Sequence, residues 1–136
     1  MRLLLLPCLG ALTVIAAASA ANPITATLTT STTQPLVGEP WRYTIAVKDR
    51  AGKALAAKVR LQILRGKLVV GCWRSRAIVR CSGDRAGTWI RFKERRSAMI
   101  VWPAFPGLGK LTFRATVVTD TRTFRLRAPV TVQPPP

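Results

Sequence analysis

The sequence has no histidine, a single asparagine, a single tyrosine and only five carboxylates. Each shortage excludes a class of chemistry. Without His there is no Ser-His-Asp triad, no Cys-His pair and no His-liganded metal. Five acidic residues leave little for paired acid-base work or a calcium cage. Asp49 and Asp120 fall in turn sequences, where a carboxylate usually caps backbone N–H groups. Glu39 precedes a proline, and Glu94 stands among Lys93, Arg95 and Arg96, where ion pairing is the ordinary expectation. Ser and Thr are plentiful, but a hydroxyl needs a base to become a nucleophile, and no Ser-x-x-Lys is present. Neither a P-loop nor a Gly-x-Gly-x-x-Gly occurs. The expectation is a protein that is not an enzyme, with no catalytic residues, no metal and no cofactor.

Long polar tracts are also scarce. Hydrophobic residues make up 49% of the 136, enough for one domain with a core. The first twenty residues inflate that figure. Met1-Arg2 is followed by Leu3 to Leu6, an apolar run to Ile15, and Ala16-Ala17-Ala18-Ser19-Ala20. A short positive start, an apolar stretch and an Ala-x-Ala exit describe a signal peptide over 1–20, cleaved after Ala20. The competing reading is a retained anchor, because Leu3 to Ala21 is free of charge and just long enough to span a bilayer. It ends in small residues, and no basic stop-transfer cluster follows. Cys8 raises lipidation, but Pro7 precedes it and the lipobox pattern is not met. Cleavage implies a secreted or cell-envelope protein without an integral membrane span.

Cys72 and Cys81 then remain in an oxidising compartment, where a disulfide is the natural expectation. Free thiols are the alternative. Cys-x8-Cys with no His and no second pair is a poor zinc pattern. A bridge over so short a loop stabilises by about 2.5–3 kcal/mol on the chain-entropy account.

Residues 21–132 read as one β-domain, and Gln133 with three prolines as a stiff Pro-rich tail over 133–136. Ile24, Ala26 and Leu28 alternate with threonines, giving an edge strand and then a loop broken at Pro35 and Gly38-Glu39-Pro40. The same Thr-rich, Pro-flanked tract is a candidate for O-linked sugars, whereas Asn22 is not in an N-glycosylation sequence. Trp41, Tyr43, Ile45 and Val47 alternate with Arg42, Thr44, Ala46 and Lys48, the period of a half-buried strand. Val59, Leu61 and Ile63 continue that pattern, as do Leu111 to Val117 and Phe124 to Val130. Shorter strands are expected at 68–70, 77–81, 88–93 and 98–102. No window shows a helical period longer than two turns. Seven to nine short strands with frequent turn signals indicate an all-β, antiparallel sandwich.

Three stretches carry a family resemblance. They are Gly38-Glu39-Pro40-Trp41-Arg42-Tyr43, the hairpin Val47-Lys48-Asp49-Arg50-Ala51-Gly52-Lys53, and Gly107-Leu108-Gly109-Lys110-Leu111-Thr112-Phe113-Arg114-Ala115. Over most of residues 24–132 the chain resembles bacterial secreted immunoglobulin-like or fibronectin-III-like modules of the actinobacterial type. The resemblance implies an Ig-like β-sandwich and an adhesive or interaction role. Two features depart from antibody-type domains: the cysteines are nine apart, so any bridge is local, and the penultimate strand has no Tyr for a tyrosine corner.

Positive charge is the abundant feature, with 22 Lys and Arg and a formal net charge of +17. A GC-rich genome inflates Arg, but composition bias alone would raise acidic residues too. In an Ig-like order the strands at 58–64, 110–118 and 122–132 would be neighbours. Their outward positions would then place Lys58, Arg60, Lys110, Arg114, Arg125 and Arg127 on one basic face, with Gln62 among them. A second basic and aromatic cluster is expected around Trp73, Arg74, Arg76, Arg80, Trp89 and Arg91, with Trp102 near it and Arg85, Lys93, Arg95 and Arg96 alongside. Such interleaving suits stacking on sugars or single-stranded nucleic acid. The plainer reading makes Trp102 core and packs Trp73 on the disulfide. The function expected is a secreted, non-enzymatic interaction module at the cell envelope. The alternative is an electrostatic binder of an anionic polymer. An acidic protein, a wall phosphate polymer or anionic lipid headgroups suit the compartment, and nucleic acid is less favoured there. Steep salt dependence would separate the polyanion reading from a salt-insensitive protein complex.

Overall fold

A computed structural model describes residues 23–136. The expected signal peptide, its cleavage point and Cys8 lie outside the described residues. Nine strands follow in order: β1 (Thr25–Thr30), β2 (Pro40–Lys48), β3 (Ala56–Arg65), β4 (Leu68–Arg74), β5 (Ala77–Arg80), β6 (Ile90–Lys93), β7 (Arg95–Val101), β8 (Gly109–Val118) and β9 (Thr123–Val132). They form two antiparallel sheets. The smaller has the order β1-β2-β7, and the larger β5-β4-β3-β8-β9. β6 joins the larger sheet through the first half of β3, while β4 pairs with its second half.

The alternating apolar residues of each sheet meet in the middle. Trp41, Tyr43, Ile45 and Val47 of β2 face Val59, Leu61 and Ile63 of β3 and Leu111, Phe113, Ala115 and Val117 of β8, all buried. Trp41 packs edge-on against both Trp102 and Phe113, with ring centroids 4.9 Å apart in each case. Its indole N–H donates to the Thr32 carbonyl at 2.8 Å, so the large ring is buried without an orphaned donor.

Several boundaries differ from the sequence expectation, each for a local reason. β4 runs past Val70 through Gly71, where an added Cβ would lie 3.0 Å from the Phe105 ring. Gly71 therefore marks a close approach rather than a strand end. β7 begins at Arg95 because Glu94, with φ +65°, turns the chain from the larger sheet into the smaller. Its N–H donates to Leu55 O and its carbonyl accepts from Val47 N–H, both at 2.8 Å. Glu94 thus serves through its backbone, and the expected ion pair does not form: among the described residues the one ion pair is Arg114–Asp84. Asp49 caps its turn as expected, with Oδ1 accepting from the N–H of Ala51 and Lys53. In the β8–β9 turn the Thr119 hydroxyl does this for Arg122 and Thr121, and Asp120 is left exposed. Residues 33–37 run beside the end of β9, and Gln133, expected to start the tail, is paired there with Leu36.

One loop covers the outward side of the larger sheet. Cys72 is the cross-strand partner of Gln62, so both point away from the core. The Cys72–Cys81 disulfide ties down the start of the β5–β6 connection, residues 81–89. This strap then crosses β3. Gln62 Nε2 donates to the carbonyls of Asp84 and Ala86, each at 2.8 Å, and Arg60 donates to those of Asp84 and Arg85. Arg114 donates from Nε and Nη2 to Gln62 Oε1 and reaches Asp84 Oδ1 at 3.5 Å. Gly87, at φ +114°, lies so close that an added Cβ would meet Arg60 Cγ at 3.1 Å.

Two changes test this packing. Phe113→Ala should cost about 3–5 kcal/mol in urea denaturation, whereas Leu68→Ala, at a side chain 72% exposed, should stay within roughly 0.5 kcal/mol. Gln62→Leu should cost roughly 1–3 kcal/mol, because it strips partners from a buried guanidinium and two loop carbonyls. Limited trypsin digestion should then cut after Arg85 faster than in the unaltered protein. Unchanged stability and cutting would mean that the amide does not hold the strap.

Candidate anion-binding face

Register decides which cations share a surface. Across the larger sheet Lys58 is level with Arg91 of β6 on one side and Val118 of β8 on the other. Arg60 is level with Thr116, and Thr116 with Arg125. Gln62 is level with Arg114, and Arg114 with Arg127. Lys110 is level with Thr131, four residues before Arg114 along β8. Cross-strand partners point to the same side of a sheet, and Leu61, Phe113 and Ala115 occupy the other. Lys58, Arg60, Lys110, Arg114, Arg125 and Arg127 therefore share the outward face.

They do not share the same exposure. Lys110, Arg125 and Arg127 are open to solvent, and Lys58 and Arg60 are half-buried. Arg114 is 6% exposed and Gln62 fully buried beneath the strap, which corrects the expectation that both look outward to solvent. The cause is the loop clamp: Gln62 binds two strap carbonyls, and Arg114 binds the Gln62 amide oxygen and the Asp84 carboxylate. Burial holds the Arg60 guanidinium below its usual pKa, and the cations Arg114, Arg125 and Arg85 act in the same direction, against Asp84.

The second expected cluster splits. Trp89 lies on the outward face, with Lys58 Nζ and the Arg60 guanidinium each 4.6 Å from its ring centroid. Arg91 joins Lys58 there through the β3–β6 register, and Arg85 sits on the strap. Trp73 pairs across β4–β5 with the buried Ile78 and packs on the core, on the opposite side of β4 from the disulfide. It does not pack on the bridge, because adjacent strand residues point to opposite faces. Arg80 stacks over Phe105, with its guanidinium carbon 5.0 Å from the ring centroid. Arg74 and Arg76 flank the β4–β5 hairpin, and Trp102 is wholly buried against Trp41. Arg96 donates to the Tyr43 hydroxyl at 2.9 Å, at the edge of the core.

From sequence alone Gln62 reads as one more surface position and the strap as an ordinary loop. A signal was available. The outward positions of β3 run Lys58, Arg60, Gln62, Leu64, becoming less charged toward the end that is covered. Asp84 is 76% exposed, and it is the one carboxylate within ion-pair distance of the face among the described residues.

No protein-family model matches the chain, and no curated protein matches it. Solved structures do resemble its fold. A CARDB domain from Pyrococcus furiosus, solved in complex with di-metal ions, is 13% identical and superposes with a TM-score of 0.48, covering 82% of this chain and 89% of that one. A DUF4466 family protein from Parabacteroides merdae is 12% identical, with a TM-score of 0.51 over 84% of this chain. The match spans 46% of that longer protein. At such identity the likeness concerns the fold alone: the chain is an all-β sandwich of two antiparallel sheets.

Proposed function

We propose that this protein is an exported, non-catalytic binding module, of the bacterial Ig-like kind, which holds an anionic partner on the outward face of its larger sheet. The observation that carries the reading is the register of β6, β3, β8 and β9, which gathers Arg91, Lys58, Arg60, Arg125 and Arg127 on one side of the sheet. Crowded cations repel one another, and a bound polyanion relieves that repulsion. The outward side of the smaller sheet is different in kind. There β1 offers Thr25, Thr27 and Thr29, β2 offers Arg42 and Lys48, and β7 offers Arg95, Ser97 and the exposed Met99 and Val101. The disulfide supports an oxidising compartment. Anionic wall polymers and acidic proteins are the partners that suit such a setting.

Long-chain polyphosphate serves as the probe. Its affinity for residues 21–136 should fall steeply with salt, the log–log slope reaching several units if several phosphates are engaged, at about 0.7–0.9 per contact. The double charge reversal R125E/R127E should weaken binding strongly and flatten that slope, while R42E/K48E on the opposite sheet should change it far less. Equal loss from both doubles would mean that net charge, not this face, does the binding. A salt-insensitive complex with an acidic protein would replace the polymer by that protein.

A further inference from the structure

Two pairs of cations on the basic face stand directly opposite each other across neighbouring strands: Arg114 with Arg127 and Lys58 with Arg91. Side chains so placed leave the backbone about 4.5–5.5 Å apart, and like charges there destabilise the pairing. The two central arginines of this face have internal partners. Arg114 has Gln62 and Asp84, and Arg60 has the strap carbonyls. Arg91 makes no ion pair. Lys58 leans over the Trp89 ring, a contact that leaves its full charge in place.

The same two residues line a groove of about 390 Å³ between β6, β3 and the end of β8. Ala56, Ala57, Phe92, Val118, Thr119 and Asp120 also line it. The hollow is thus bounded by two cations, an aromatic residue, short side chains and one carboxylate that pairs with neither cation. A guanidinium presents a planar fork and an ammonium a compact point charge, and together they suit a tetrahedral group carrying up to two negative charges.

We propose that this groove is a discrete subsite for one phosphoryl group, with Lys58 and Arg91 as its cationic contacts. The inference rests on the reading of this face as the docking surface for an anionic partner, and it narrows that surface to an anchoring point. Asp120 acts against the anion and limits affinity.

Thermal denaturation in inorganic phosphate, with sodium chloride at matched ionic strength as the control, tests the subsite apart from the wider face. Tm of the unaltered protein should rise saturably with phosphate and not with chloride, as linkage requires for a ligand of the native state. Arg91→Gln should abolish that rise. R125Q/R127Q should keep it while losing polyphosphate affinity, and Asp120→Asn should move the midpoint to severalfold lower phosphate. Arg91→Glu in phosphate-free, low-salt buffer should raise Tm, because the cross-strand pair becomes opposite in charge. Phosphate titration followed by amide chemical shifts should map to β6 and the β8–β9 turn. Equal effects of phosphate and chloride, or an undiminished phosphate response in Arg91→Gln, would overturn the subsite. Retention of polyphosphate binding by R125Q/R127Q would instead count against the wider face and leave the subsite standing. A phosphate response with no binding of polyphosphate would identify free phosphate or a monoester as the source of the group.

Discussion

The chain has too few carboxylates to neutralise its cations, and much of the structure outside the core follows from that shortage. With 22 basic residues against five acidic ones, most guanidiniums cannot find an ion pair. They use neutral acceptors instead. Arg60 donates to the carbonyls of Asp84 and Arg85, Arg65 to that of Pro106, Arg96 to the Tyr43 hydroxyl, and Arg114 to the Gln62 amide oxygen. Others lie over aromatic rings: Arg80 over Phe105, Arg122 over Phe124, and Lys58 with Arg60 over Trp89. Many directional donors thereby find acceptors, although the buried Arg60 Nε does not, and the charge stays where it was. The strap of residues 81–89 is the largest consequence, since its carbonyls are drawn onto the sheet by Arg60 and Gln62 and its Asp84 carboxylate by Arg114.

Placing polar side chains beneath that strap is costly unless every donor finds a partner. Gln62 meets the condition by facing both ways, with its oxygen accepting from Arg114 and its nitrogen donating to two carbonyls. The disulfide helps by a different route. It fixes one end of the strap beside Gln62, so the loop has fewer unfolded arrangements to lose when the polar contacts form. Gly87 completes the fit from the other end by bringing the backbone onto Arg60 with no side chain between.

The two-residue period of β2, β3, β8 and β9 was legible from sequence, because one face of each buries in the core and the pattern is strong. So was the neighbourhood of β3, β8 and β9, once an Ig-like order was assumed. Legibility failed where a tertiary contact overrides local pattern. Gly71 reads as a break but lies within β4 because Phe105 fills the space of its missing side chain. Glu94 reads as an ion-pair partner but is a backbone pivot between sheets. Gln62 and Arg114 read as surface residues because the loop that covers them lies over twenty residues away from Gln62 in the chain, beyond any local window. The pairing of Lys58 with Arg91 depended on a register between β3 and β6 that no composition could reveal.

Dipoles and charges differ in reach, and this bears on what the face can do. A carbonyl or aromatic partner stabilises a cation only at contact, so the field of the face extends into solvent nearly undiminished. At physiological ionic strength that field decays over about 8 Å, long enough to steer a polyanion toward the sheet but not to hold it in one register. Register requires a contact in which charge and shape coincide. On this face the exposed arginines of β9 supply field, while the Lys58–Arg91 groove supplies both charge and a concave boundary. A linear anion drawn in by the first would therefore gain its fixed position at the second. The strap contributes by occupying Arg60 with its carbonyls and Arg114 with the Asp84 carboxylate, which removes the two most central competitors for the same negative group.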